Sequence, residues 1–402
     1  MNNWQVTSLG SIATFRTGKL DSNAAEENGL YPFFTCSPET YKINTYAFDT
    51  EAVLLAGNNA NAVYPLKYYM GKFNAYQRTY VIEPKSAELA DCRYLYYLVS
   101  FLLQKLKEAS VGSATKFLTK QILENFQVKV PPLEEQKAIA KILSSLDDKI
   151  ELNRRMNATL EAMARALFKA WFVDFEPVYA NLEHRPSTSA SPEIAKLFPS
   201  EFENGIPKGW QLGSVSDLGD VVCGKTPSTK IADNFGDEIP FITIPDMHGN
   251  AVITKTARHL SKKGADSQNK KYLPAHSICV SCIATAGLVS MTSERSQTNQ
   301  QINSVIPNGK FGTYFCYQVL NKLGEEIRTK GSGGSVFVNL NTGSFSKIPV
   351  LLPDEAISTS YHNISKPLFE KIVNNEKESH CLSEMRDSLL PRLISGQIQA
   401  SR

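Results

Sequence analysis

Apolar positions recur at steps of three and four over two long stretches of this chain. In the first, Ile139, Ile142, Leu146, Ile150, Met156, Leu160, Met163, Leu167 and Trp171 make one stripe, the signature of a helix with a single apolar face. Pro131 and Pro132 mark its start and Pro177 lies just beyond its end. Roughly 43 residues at about 1.5 Å each give a helix about 65 Å long. Such a stripe needs a partner, and the second stretch, 357–394, supplies it with Ile364, Leu368, Ile372, Leu382, Met385 and Leu389. Elsewhere the periodicity is shorter. Runs rich in β-branched and aromatic residues at 52–56, 76–82, 277–283 and 334–339, broken by Gly, Pro and Asn, predict strands, and 92–109 predicts a helix.

The chain is written twice. Trp4-Gln5-Val6 returns as Trp210-Gln211-Leu212, and the same offset pairs Ile12 with Leu218, Phe15 with Val221 and Gly18-Lys19 with Gly224-Lys225. Tyr31-Pro32-Phe33-Phe34-Thr35 matches Ile239-Pro240-Phe241-Ile242-Thr243. Residues 74–82 resemble 298–306, with Gln77 on Gln301, and Gly112-Ser113 resembles Gly334-Ser335. Along the helices Ile142, Leu146, Ile150, Asn153, Leu160, Met163 and Leu167 fall on Ile364, Leu368, Ile372, Asn375, Leu382, Met385 and Leu389.

This order predicts an α+β protein with two globular domains of mixed structure and mostly antiparallel sheets. Two long antiparallel helices, a coiled coil, would join them with internal pseudo-twofold symmetry. The expected segments are 1–131, a first globular domain; 132–176, a central helix; 177–206, a Pro- and Ser-rich linker; 207–352, a second globular domain; and 353–402, a C-terminal helix. Asn153 and Asn375 interrupt the stripes at matching mid-helix positions, where a buried pair would set the helix register and a solvated pair would do nothing.

Composition narrows the function. The 402 residues carry 43 Lys and Arg against 40 Asp and Glu, a net charge of +3, so any nucleic-acid surface must be local. No run approaches the roughly 18 apolar residues of a membrane span, and the Met1-Asn2-Asn3-Trp4 start shows no secretory signal. Seven scattered cysteines are expected to be reduced thiols of a cytoplasmic protein.

Two motifs imitate chemistry. Residues 219–226, Gly-Asp-Val-Val-Cys-Gly-Lys-Thr, fit the phosphate-loop pattern letter for letter, but Pro227 and the polar run after it promise no helix to place amides around a phosphate. Cys279 and Cys282 have metal or redox spacing with no second pair nearby, and suit a buried strand better. No methyltransferase motif, nuclease cluster or catalytic dyad emerges, so no catalytic residue, metal or cofactor is expected.

Residues 131–153, Pro-Pro-Leu-Glu-Glu-Gln-Lys-Ala-Ile-Ala-Lys-Ile-Leu-Ser-Ser-Leu-Asp-Asp-Lys-Ile-Glu-Leu-Asn, closely resemble the central conserved region of type I restriction-modification specificity subunits. Residues 168–178, Phe-Lys-Ala-Trp-Phe-Val-Asp-Phe-Glu-Pro-Val, are similar to that region's ending. Residues 206–210, Ile-Pro-Lys-Gly-Trp, resemble the entry to the second recognition domain, and 389–398, Leu-Leu-Pro-Arg-Leu-Ile-Ser-Gly-Gln-Ile, the C-terminal signature. Residues 352–357 are a degraded copy of 132–136, which puts the start of the second helix in question. The resemblance implies a non-catalytic DNA reader of a host-defence system. Each domain would take half of an asymmetric, bipartite double-stranded target. The helices would space the domains and dock two adenine methyltransferase subunits, and ATP-driven restriction subunits would join in some systems. A coiled-coil adaptor binding proteins at two heads is the alternative.

Phosphates attract Lys, Arg and small polar groups, and base edges favour Arg, Asn, Gln and Lys. In the first head the candidates are Lys19, Asn58, Asn59, Asn61, Tyr64, Arg78, Ser113 and Lys116. In the second they are Lys225, Thr226, Arg258, Lys262, Lys263, Thr285, Arg295, Asn299, Ser332 and Ser335, with a local basic patch in 258–271. Gln77 and Gln301 repeat and are expected to be structural, since residues that set two different specificities should differ between heads.

Overall fold

The computed structural model describes residues 4–59, 64–110, 116–283, 285–331 and 340–400. It divides into two compact units, 1–151 with 379–402, and 152–378. Four helices are named here: α1 (Cys92–Ala109), α2 (Leu133–Phe172), α3 (Thr313–Gly331) and α4 (Glu355–Ile394). Each long helix, α2 and α4, contributes one part to each unit. The degraded motif does not delay α4: Asp354 accepts from the Ala356 N–H at 2.8 Å and caps its first turn.

In the first unit a six-stranded sheet runs in the order Ala13–Thr17, Thr79–Pro84, Phe48–Ala56, Leu66–Ala75, Tyr31–Phe34 and Thr40–Ile43. All its pairs are antiparallel except Phe33-Phe34 against Asn74-Ala75. The central position of Phe48–Ala56 explains its unbroken apolar run: residues 52–56 are buried on both faces. Helix α1 begins where the Asp91 carboxylate accepts from the Tyr94 N–H at 2.8 Å. Its buried face joins Leu9, Phe15, Val53, Leu55 and Ile82 in one core. Ile139, Ala140 and Leu143 of α2 and Leu393 and Ile394 of α4 complete it. Arg386 meets Asp147 at 2.7 Å further along, so residue numbers rise on one helix as they fall on the other.

The second unit repeats the plan. A five-stranded sheet, in the order Gly219–Cys223, Ile302–Pro307, Ile278–Ser281, Val289–Thr292 and Val252–Ile253, carries α3. A smaller sheet holds Phe235–Gly236, His259–Leu260, Ile239–Ile242 and Gln297–Thr298. Phe168, Trp171 and Phe172 of α2 pack on Tyr361 of α4 in a core that also holds Ile357 and Phe369, and the Tyr361 hydroxyl donates to the Ala164 carbonyl at 2.9 Å. Here too the helices run antiparallel.

Strand registers agree between the units. Gln5 faces Val130 as Gln211 faces Leu352, and Ala13 faces Pro84 as Gly219 faces Pro307. Val53 faces Ile82 as Ile278 faces Val305, and the parallel pair Phe34–Ala75 corresponds to Ile242–Thr298. These pairings shift the whole match of 74–82 by one residue, so that Ala75 falls on Thr298 and Ile82 on Val305. Gln77 corresponds to Gln300, and Arg78 to Gln301. A one-residue slip in a strand sends every side chain to the opposite face, so the correction matters for function.

Two further expectations change. Met163 and Met385 are 53% and 48% exposed and Ile364 is 39% exposed, so they lie outside the buried stripe. On α2 Ile139 and Trp171 are buried as expected, whereas between them Leu143, Asn157, Ala164 and Phe168 are buried one residue after Ile142, Met156, Met163 and Leu167. The expected linker is folded. It holds helices Glu176–Leu182 and Pro192–Ala195 and the strand pair Phe202–Glu203 with Ile206–Pro207. The Glu176 carboxylate gathers Arg185, Ser187, Ser189 and the Thr188 N–H, and the Trp171 indole N–H donates to the Ser189 carbonyl at 3.0 Å.

Candidate nucleic-acid interface

In the first head the turn 76–78 connects strands Leu66–Ala75 and Thr79–Pro84. It closes through Thr79 N–H to the Tyr76 carbonyl at 2.9 Å and is held to the sheet by Tyr76 N–H to the Phe34 carbonyl at 2.9 Å. The Gly18-Lys19 segment crosses beneath it. A Cβ on Gly18 would stand 1.7 Å from the Ala75 carbonyl oxygen, so only glycine admits this approach. Lys19 is left exposed beside the turn. Arg78 is exposed, with its guanidinium 5.8 Å from the centre of the Phe117 ring, a cation–π contact. Thr17, Asn58, Gln77, Arg78, Phe117 and Lys120 line an open hollow of about 390 Å³ at this corner. Asn58 accepts from the Cys36 thiol at 3.1 Å, and its strand pairs Asn58 with Phe117 and Asn59 with Lys116.

Tyr64 is corrected: it is 6% exposed within the core of the first unit, where its ring packs as an apolar group. Asn61 and Ser113 lie outside the described residues, as do the side chains of Asn59 and Lys116. Not every cation here is available to a ligand. Burial pulls the Lys67 ammonium below its ordinary pKa against the opposing pull of Glu39, and it donates to the carbonyls of Ser37 and Glu39.

The second head has the same corner. A Cβ on Gly224 would meet the Asn299 carbonyl oxygen at 2.1 Å, and the Lys225 N–H donates to the Thr298 carbonyl at 2.9 Å. Lys225 is exposed, and its carbonyl accepts from Gln268 at 2.7 Å. The Thr226 hydroxyl donates to Gln300 at 2.8 Å. Asn299 donates to the Gln301 side chain at 3.0 Å and accepts from the Gln301 N–H at 3.1 Å.

The basic patch lies on the smaller sheet. Arg258 is exposed with its guanidinium 4.9 Å from the Phe235 ring centre, and Arg295 sits 3.6 Å from that of Tyr272. Lys262 and Lys263 open a short helix; Lys263 pairs with Asp233 at 3.3 Å, an exposed bridge of little strength. Thr285 is exposed, and its carbonyl accepts from Ser281 at 2.6 Å. Ser332 and Ser335 lie outside the described residues.

Two heads with one frame, each presenting a Gly-Lys crossing and an amide- or Arg-bearing turn, are the geometry to set beside known proteins. The family model for the type I restriction modification DNA specificity domain matches residues 1–162 and 207–378. The chain belongs to the type I restriction-modification DNA-specificity family. Among curated members it is 42% identical over 367 residues to the type I restriction enzyme HindI specificity subunit of Haemophilus influenzae, covering 79% of this chain and 80% of that one. The EcoDI specificity subunit of Escherichia coli is 42% identical over 164 residues, 41% of this chain and 35% of its own length. The crystal structure of an S subunit from M. genitalium shares the fold with a TM-score of 0.62 at 13% identity, covering 98% of this chain and 96% of that one.

Within this specificity-subunit frame the two imitations lose their chemistry. Residues 219–223 of the phosphate-loop pattern form a strand paired with 303–307, and the next element is a single 3-10 turn at Ala232–Asn234, so no helix N-terminus follows Gly224-Lys225. Cys279 and Cys282 are buried in and beside strand Ile278–Ser281, and burial pushes the Cys279 thiol up to about 12. Among the described residues no cluster of metal-binding side chains occurs, and no helix is long and apolar enough to cross a membrane.

Asn153 and Asn375 are fully buried. Asn153 donates to the Glu378 carboxylate at 2.8 Å and to the Asn375 carbonyl at 3.4 Å. Asn375 donates to Asn157 at 2.8 Å, and Asn157 to Glu376 at 2.6 Å. Sequence reading missed Asn157, Gln300, Phe117 and Lys120. Gln300 was one position away in an Asn-Gln-Gln run; the others carry no periodic signal.

Proposed function

We propose that this chain reads a split double-stranded DNA target, one half-site through each recognition domain, 1–131 and 207–352. The helical segments 132–176 and 353–402 and the linker 177–206 space the domains. They also dock two adenine methyltransferase subunits and, where present, ATP-driven restriction subunits. The chain works in the cytoplasm as a non-catalytic subunit, and methylation and cleavage belong to its partners. The observation that carries this reading is the duplicated corner: one hydrogen-bonding frame, an exposed lysine beside a turn, and unlike side chains at the turn's outer position.

Lys19 and Lys225 supply phosphate contacts that position each head without sequence information. Asn58, Arg258, Lys262, Lys263, Thr285, Arg295 and Asn299 line the same DNA-facing surfaces. Asn59, Asn61, Ser113, Lys116, Ser332 and Ser335 are proposed on sequence grounds alone. Asn153 and Asn375 hold the helix register.

The test is selection of randomised duplexes by the chain copurified with its modification subunits. A bipartite motif with an unspecified spacer is expected, and absence of any enriched sequence overturns the reading. Binding should also weaken steeply with salt, as phosphate contacts require, whereas an adaptor that binds only proteins shows no duplex affinity to weaken.

A further inference from the structure

The corrected register places two different side chains at one position of the duplicated frame. Arg78 and Gln301 both end their turns, and each keeps the same main-chain bond. The Arg78 carbonyl accepts from the Gly57 N–H at 2.7 Å, and the Gln301 carbonyl from the Cys282 N–H at 2.9 Å. The turns close alike, through Thr79 N–H to Tyr76 and Ile302 N–H to Asn299, and anchor alike, through Tyr76 N–H to Phe34 and Asn299 N–H to Ile242. The residue before them is glutamine in both heads. Gln300 accepts from Thr226 at 2.8 Å and Gln77 reaches Asp21 at 3.5 Å, so these amides tie the turn to the Gly-Lys crossing. A residue identical in both heads cannot distinguish two half-sites. The next one can.

We propose that position 78 in the first head and position 301 in the second are equivalent specificity positions, Arg78 reading a guanine and Gln301 an adenine. Guanine offers O6 and N7, two acceptors that match the paired donors of a guanidinium. Adenine offers N7 and an N6 donor, which match the donor and acceptor of a carboxamide. The surroundings suit these roles. Arg78 lines the open hollow of its head, braced on the Phe117 ring. Asn299 donates to Gln301 and holds its amide in one orientation, leaving the amide N–H₂ and a second lone pair for a base. The proposal rests on the reading of the chain as a two-headed DNA reader.

The experiment uses the full chain with its modification subunits. Methylated adenines are sequenced for wild type, Arg78→Gln and Gln301→Arg. Duplex affinities are measured for wild type, Arg78→Ala and Gln301→Ala on a panel with each base pair replaced in turn. Arg78→Gln should change or relax one position in one half of the motif and leave the other half intact, and Gln301→Arg should do the same in the other half. Wild type should discriminate at each of those positions by roughly 5- to 150-fold, and the matching alanine variant should lose that ratio there alone.

An unchanged motif in either swap overturns the proposal for that residue. So does a parallel loss of affinity on every duplex with a salt slope lowered by about one, the mark of a phosphate contact. A swap that methylates nothing is judged by the duplex panel, where a retained ratio counts against the proposal and a lost one supports it. Failure of wild type to yield any motif is a different result: it removes the reading of function, and the base assignments of Arg78 and Gln301 fall with it.

Discussion

Removing the Asn375 amide should cost more than removing that of Asn153, although both side chains are fully buried. The difference lies in what each leaves behind. Asn375 donates to the side-chain oxygen of Asn157, itself 5% exposed, at 2.8 Å. Asn375→Ala forfeits about 1 kcal/mol of net hydrogen bonding and strands that oxygen away from water at about 1–3 kcal/mol more, so about 2–4 kcal/mol in all. Asn153 donates to Glu378, which is exposed and rehydrates when the amide is gone, and at 3.4 Å to the Asn375 carbonyl, a main-chain acceptor inside α4. Asn153→Ala should therefore cost about 1–2 kcal/mol. The loss of volume is the same in both and cancels from the comparison. Adding Asn157→Ala to Asn375→Ala removes the stranded acceptor and loses the shared bond once rather than twice, so the double variant should cost less than the sum of the singles by about 2 kcal/mol or more.

The chain offers a local reporter for this cycle. Of its three tryptophans, Trp4 belongs to the first unit, whereas Trp171 and Trp210 are buried in the core of the second, 0% and 5% exposed. In a Trp4→Phe background, fluorescence during urea unfolding follows the unit that contains all three asparagines, and an unchanged slope shows that only stability moved. Equal costs for Asn153→Ala and Asn375→Ala, with a coupling below about 0.5 kcal/mol, would refute the account and make these asparagines tolerated passengers.

Three further outcomes follow from other parts of the molecule. Burial works to raise the Glu176 pKa, but hydrogen bonds from Ser187, the Thr188 N–H, Arg185 and Ser189 outweigh it and hold the carboxyl far below its ordinary range. A depressed folded value means the contribution is complete above the unfolded pKa of about 4.3 and is lost as pH falls toward the folded one. Unfolding midpoints of the second unit should thus drop through the acid range in wild type and drop less in Glu176→Gln. Gly224→Ala should destabilise that unit by about 1–3 kcal/mol and weaken DNA binding, because its Cβ meets backbone that cannot rotate away. Gly343→Ala, whose Cβ would meet nothing closer than 3.4 Å, should be neutral or slightly stabilising in the same denaturant titration. Thiol labelling of native protein at pH 8 should modify exposed Cys381 first and half-buried Cys36 and Cys223 more slowly. Cys92, Cys279, Cys282 and Cys316 should react only in denaturant, since burial raises all four thiols and pushes Cys279 and Cys316 up to about 12.

What the sequence disclosed, and what it hid, divides along physical lines. Helix 92–109 was legible to the residue because its apolar positions fall on one face, and the structure adds an Asp91 cap. The long helices were legible in extent but not in facing. Methionine and leucine flank the true stripe, and a one-residue error passes unnoticed where Met163 lies beside Ala164 and Leu167 beside Phe168. The repeat was legible in order, yet slipped by one along 298–306, since two consecutive glutamines match Gln77 equally well and only strand pairing chooses between them. The folded linker was invisible because Glu176 holds it through partners 9 to 13 residues away with no period. Tyr64 looked like a surface reader for its Asn-rich neighbourhood, and its burial depends on core packing that composition does not report.

The same division bears on how one frame can serve two half-sites. At positions 78 and 301 main-chain carbonyls, bonded to Gly57 and Cys282, secure the turn; the Arg78 side chain is exposed, and that of Gln301 adds one bond, from Asn299. Exchanging them should then leave the fold nearly untouched. Arg78→Gln removes an exposed guanidinium and one ring contact, so the first unit's unfolding midpoint, read with Trp4 as the only tryptophan, should move by no more than about 0.5 kcal/mol. Gln301→Arg deprives Asn299 of an acceptor at a half-buried site and should cost about 0.5–1.5 kcal/mol in the second unit. Losses of 3 kcal/mol or more in either variant, well beyond such estimates, would show that the turn side chains are structural after all. A change of target sequence could then no longer be separated from a change of fold, and the frame would not be the neutral carrier of specificity that its matched registers describe.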